Sequence, residues 1–233
     1  NGITVVHACP GRVNVIGAAT GVFRTRGITA EDAALHKTFA VLVNLGEVPK
    51  ETFKGKGPGT RMAVAGVVRK AFADAQVYRD KKKAEPDKTA KNAKHEALIP
   101  ALDGKSPVIF AAHRADDVRT GLRIADEFGL KPVVALGTEA FLMADELVKR
   151  KVPVIVHPTM QRAAGTMETQ HTLLGNAAIL HGKKIPVSIG TAFEGYVPKT
   201  RNLRSEAAMA AAYGLGHDAA LRAVTAEPAK LLG

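Results

Sequence analysis

Cysteine occurs once, at Cys9, so no disulfide can form within the chain. That usage suits a reducing compartment, and a cytoplasmic location is the expectation. The chain opens at Asn1 without an initiator methionine, which leaves open an export signal already trimmed away. Tryptophan is absent and aromatics make up 5% of the 233 residues. The core must therefore be built from Ala, Val, Leu and Ile, the residues that fill parallel sheets and the helices over them. No apolar run approaches the roughly 20 residues that span a bilayer, which argues against a membrane protein. The nucleotide-binding signatures are missing as well. No G-x-G-x-x-G turn follows the first strand, and Gly55-Lys56-Gly57-Pro58-Gly59 lacks the terminal G-K-[ST] of a P-loop.

What is abundant is positive charge, a net +11. Much of it sits in one stretch, Lys81-Lys82-Lys83 followed by Lys88, Lys91 and Lys94, broken by Pro86 and Asp87. Composition makes residues 81–94 a solvated, mobile Lys-rich connection between two helices. A nucleic-acid surface would interleave cations with stacking aromatics, and only Tyr78 is near, so nucleic acid is not the expected partner.

Along the chain a short β-branched run, a turn and an amphipathic helix alternate. Ile3–Val6 and Ala40–Leu45 read as the first two strands; Val108–Ala112, Val133–Leu136, Val154–Val156 and Val187–Gly190 read as four more. Between them the spacing predicts helices from Arg61 to about Lys83, from about Lys94 to Leu102, from Asp116 to Phe128 with Gly129 as C-terminal cap, from Thr138 to near Lys151, and around Leu173–Leu180. Two more follow, about Ser205–Tyr213 and Asp218–Val224. Strands alternating with helices argue for an α/β fold with a parallel sheet, either open and doubly wound or closed into a barrel. In a barrel, reactive groups sit where strands end. Those groups are Glu47, His113 with Arg114, Thr138 with Glu139, His157, and Thr191.

Several segments, taken together and in order, resemble one family. They are Gly2–His7, Pro10–Gly17, Leu45-Gly46-Glu47-Val48-Pro49-Lys50, Thr60-Arg61-Met62, Ala112-His113-Arg114-Ala115-Asp116-Asp117, Thr138-Glu139-Ala140 and Ala226–Gly233. They look like the imidazolonepropionase-related branch of the amidohydrolase superfamily, over nearly the whole chain. The resemblance implies a (β/α) TIM-like barrel of the metal-dependent hydrolase type over residues 1–233 as a single domain. It also implies one or two divalent cations that activate water against an amide or cyclic amide carbon. Relative to that family the chain looks incomplete at its N-terminus and lacks the small β-sandwich, so its first barrel strand is expected to be missing.

The ligand pattern departs from the family at several places. No His-x-His strand occurs, Ala111 stands where the resemblance expects a histidine, and Leu136-Gly137 falls where the next is expected. A catalytic aspartate after Gly190-Thr191 is replaced by Ala192 or Phe193. Methyl, isobutyl and benzyl groups donate no lone pair. Glu47 and His113 survive as candidate metal ligands; Arg61, Arg114, Asp116, Thr138, Glu139, His157 and Thr191 are the remaining pocket candidates.

Each has a structural reading beside the functional one. Glu47 can pair with Lys50 or Arg61, His113 can belong to a polar cluster at a helix start, Asp116 or Asp117 can cap that helix, Thr138 can be a helix N-cap, and His157 can be a strand-end hydrogen-bonding group. The expectation is a degenerate, non-catalytic subunit or domain, working as a homo-oligomer or beside a companion hydrolase subunit, with no cofactor. The alternatives are an active hydrolase of amide bonds with an altered site, holding Zn or another divalent ion and a small-molecule substrate, and a basic scaffold for an anionic partner.

Overall fold

The computed structural model describes residues 2–52, 55–156, 159–160, 168–191 and 200–233. Their contacts fall into two compact units, one built from Ile3–Ile109 with Thr120–Pro132, the other mainly from Phe110–Arg119 with Val133–Gly233. The division runs through two strands and one helix.

In the first unit the chain forms β1 (Val5–Ala8), β2 (Ile16–Ala19), β3 (Gly21–Arg24), α1 (Ala30–Ala33), β4 (Ala34–His36), β5 (Val41–Asn44), α2 (Glu47–Thr52), α3 (Arg61–Ala84), α4 (Ala93–Glu96), α5 (Ile99–Leu102) and the start of β6 (Val108–Ala112). The strands β1, β3 and β4 make a separate antiparallel sheet in the order β1-β3-β4. This corrects the expectation that the first strand joins the parallel set. β2 is an additional strand, antiparallel to β5, with a bulge between Ile16 and Ala18. All four residues of β5 are buried, as a strand covered on both faces requires.

Helix α3 starts at an N-cap, Thr60, whose hydroxyl accepts the Ala63 N–H at 3.0 Å. Val64, Val68, Phe72 and Ala75 form its buried stripe, and the Phe72 ring packs on Phe128 at 5.7 Å. Val67, expected on that stripe, is 40% exposed. The helix runs to Ala84, so the Lys-rich connection begins after it. Within α3, Lys82 pairs with Glu96 and lies 5.9 Å from the Tyr78 ring centroid. The helix expected from Lys94 to Leu102 is two short ones. Pro100 has no N–H to give and its ring crowds the preceding turn, so it fits only at a helix start.

The second unit holds the end of β6, the start of α6 (Ala115–Phe128), β7 (Pro132–Leu136), α7 (Ala144–Arg150), β8 (Val154–Val156), α8 (Asn176–Gly182), β9 (Val187–Ile189), α9 (Leu203–Ala210), α10 (His217–Ala223) and α11 (Ala226–Leu232). Its strand order is β6-β7-β8-β9. β7, β8 and β9 are parallel, with Val134 opposite Val154 and Val154 opposite Val187. Among the described residues no barrel closes. The far end of α6 is stopped as its sequence predicts. Gly129 takes φ +64°, and Leu130 N–H returns to the Ala125 carbonyl at 2.8 Å. α11 was not expected as a helix; it covers the Ala226–Gly233 segment that carried part of the family resemblance.

Candidate functional site

The strand ends of the second unit gather most of the sequence candidates. β6 finishes in Ala111 and Ala112, both fully buried, and then presents His113, also buried. The Nδ1 of His113 lies 2.7 Å from Thr138 Oγ1, which follows β7. The main chain past β7 is clamped to the end of β6: Gly137 N–H donates to the Ala112 carbonyl and Glu139 N–H to the His113 carbonyl, each at 2.9 Å. To make that turn, Leu136 and Gly137 both enter the left-handed region, at φ +74° and +53°. A leucine there costs about 1–2 kcal/mol, and Leu136 stands where a metal-binding histidine was expected.

Glu139 organises the neighbouring groups. It is buried after β7; its Oε2 accepts the Ala115 N–H at 2.9 Å, at the start of α6. A carboxylate is favourable at that position because the first amides of a helix are unpaired and carry partial positive charge. Glu139 Oε1 lies 2.7 Å from the Nδ1 of His171, whose side chain is 68% exposed. Thr138 thus serves His113 rather than a helix start, and Glu139 supplies a cap for α6. Asp116 is exposed and pairs with Arg114 at 3.3 Å. Thr191 follows β9 and is half-buried. His157, Ala192 and Phe193 lie outside the described residues.

Glu47 and Arg61 belong to the first unit and bind each other. Arg61 donates to Glu47 Oε1 at 2.7 Å while Lys50 Nζ sits 2.5 Å from Oε2. Burial alone would push the Glu47 carboxyl up, but the Lys50 hydrogen bond and the charges of Arg61 and Lys50 hold it below the usual carboxylate range. Both ion-pair partners foreseen for Glu47 are therefore engaged together.

Among the described residues the donor set does not fit a divalent cation. A catalytic ion needs about three protein ligands. Among the described residues no three His, Cys, Asp or Glu side chains converge. Ala111 and Leu136 offer no lone pair, and both Glu47 oxygens already face cations. The hollow beside the end of β7, lined by Leu136, Thr138, Val156, Leu173 and Asn176 among others, holds about 10 Å³. That is room for about one water. Asn176 helps to fill it and donates to the Gly137 carbonyl at 2.8 Å.

Along the full length of the chain, the backbone superposes on the crystal structure of an amidohydrolase from Thermotoga maritima MSB8 with a TM-score of 0.94 and 31% sequence identity. The chain is amidohydrolase-like. It spans 61% of that protein's length. No protein-family model and no curated protein matches the chain. Among the described residues no helix is long and apolar enough to cross a membrane.

Two groups of this amidohydrolase-like chain were invisible to sequence reasoning. His171 is 32 residues from its partner Glu139, and no local spacing connects them. Glu206 on α9 is fully buried and accepts the Met160 N–H at 3.0 Å; burial pushes its carboxyl up, and the Met160 and Thr159 amides only partly offset this. The one sequence signal for Glu206 is a lone acid on an alanine-rich helix, which by itself reads as surface.

Proposed function

We propose that this chain is a non-catalytic member of the imidazolonepropionase-related amidohydrolases, acting as a subunit or domain whose work is assembly, regulation or binding. Its partner is a second copy or a companion hydrolase subunit, in the cytoplasm. The observation that carries the reading is the pair Ala111 and Leu136: at the ends of two adjacent strands, fully buried hydrocarbon stands where the resemblance expects metal-binding imidazoles. The engaged Glu47 carboxylate and the nearly filled hollow beside β7 support it.

The test is turnover. Purified protein supplied with Zn, Mn or Co in turn is assayed for release of amine from N-acyl amino acids, dipeptides and cyclic amides. The proposal expects none above a denatured control; metal-dependent turnover with saturation kinetics overturns it.

A second reading, an amide hydrolase with an altered site, draws on one observation. The His171 imidazole is held by a buried carboxylate and keeps most of its ring in solvent, an arrangement that suits a proton acceptor. If that reading holds, any turnover found disappears in His171→Ala while the fold is retained.

A further inference from the structure

A second cavity lies within the first unit, lined by none of the strand-end groups of the candidate site. It measures about 840 Å³, within the range of pockets that hold small organic ligands. Its lining takes in β2, paired among the described residues with β5, Val67 and Ala71 of α3, and Leu98. The apolar lining explains Val67: a valine expected in the core is left 40% exposed because it borders the cavity. Ala18, also in the wall, takes φ +150°, a backbone state that side chains other than glycine rarely adopt. Strain of that kind persists where surrounding structure imposes it and recurs at ligand clamps.

The polar groups at the cavity are unequal in sign. Asp74 is the one acid, and both its oxygens are held by Lys70, at 2.8 and 3.1 Å. Once that pair is discounted, Lys94 on α4 is a cation at the lining with no acid beside it among the described residues. His95, next along, packs on Tyr78 and has a buried Nδ1 without a hydrogen-bond partner. An apolar chamber with an uncompensated cation and an unfilled polar contact at one side matches an amphipathic anion. We infer that this cavity binds a small carboxylic acid with a bulky or extended apolar body, the hydrocarbon against Val67, Ala71 and Leu98 and the carboxylate at Lys94. This site is independent of the amidohydrolase-like strand ends and stands whether or not the chain is catalytic.

The test is a fluorescence titration of the full chain with 8-anilinonaphthalene-1-sulfonate, displaced by dodecanoate and, separately, by dodecylammonium. Saturable binding is expected, with dodecanoate displacing the dye at concentrations at least about tenfold lower than the cation. Val67→Trp places an indole in the cavity from an exposed helix position, and Lys94→Glu reverses the charge. Each is expected to weaken dodecanoate about tenfold or more, with the thermal melt by circular dichroism unchanged. Should Val67→Trp melt early, Lys94→Glu decides alone. Absence of saturation, equal displacement by the two amphiphiles, or wild-type affinity in Lys94→Glu overturns the inference.

Discussion

Replacing Glu139 by alanine probes the hydrogen-bonded knot at the strand ends most directly. The substitution removes the acceptor for the Ala115 N–H and the partner of His171 in one step. A hydrogen bond to a charged group contributes about 1.5–3 kcal/mol, and the half-buried amide left behind loses its acceptor. The carboxylate's interaction with the helix terminus adds about 0.3–1 kcal/mol. The His171 pair adds little, because an ion pair with one exposed partner is screened by solvent. Together these give a loss of about 2–4 kcal/mol, or about 4–16 °C in melting temperature at roughly 2–4 °C per kcal/mol for a chain of this size. Glu139→Gln keeps an acceptor for the amide and loses only the charge, so about a third of that shift is expected. His171→Ala should move the melt by no more than about 2 °C. Differential scanning calorimetry of the three variants reads all of this. If Glu139→Ala melts with the wild type, or His171→Ala falls as far as Glu139→Ala, the assignment of Glu139 as the cap of α6 is wrong.

The remaining expectations concern the first unit. Phe72→Ala empties a fully buried site against Phe128 and should cost about 3–5 kcal/mol in urea unfolding. Burial pushes the Cys9 thiol up to about 12, so a disulfide reagent at pH 8 should react slowly with native protein and rapidly in denaturant; equal rates would contradict the burial. Because the Glu47 carboxyl is held below its unfolded value of 4.5, its stabilising contribution is complete above that pH and is lost as the pH falls through the folded value. Unfolding free energies measured from pH 6 down to pH 3 should therefore fall less steeply in Glu47→Gln than in wild type, and parallel curves would refute the pairing.

How far the sequence alone carried depends on how local each signal was. β6 to β9 are short β-branched runs bounded by turns, and their period and length survive folding because each is buried on both faces. Gly129 announced the end of α6 for an equally local reason, since only glycine enters the left-handed region without penalty. The β1-β3-β4 sheet was illegible. Gly21-Val22-Phe23-Arg24 is four residues with no alternation, and its partners are set by pairing across the chain. Thr138 looked like a cap because capping is the local habit of threonine; the bond to His113, 25 residues away, won instead. The Glu47 ion pair with Lys50 was legible because Lys50 sits one helical turn away, while Arg61, 14 residues on, was named from chemistry alone. His171 was missed for the converse reason. Its meaning comes wholly from a tertiary contact with Glu139.

Metal content tests the central claim most directly. Protein expressed with Zn in the medium, dialysed against metal-free buffer and measured by plasma mass spectrometry should carry well below one equivalent of any transition metal per chain, since among the described residues too few donors converge to hold one. Close to one equivalent, retained through dialysis and coordinated by side chains of this chain, would contradict the account.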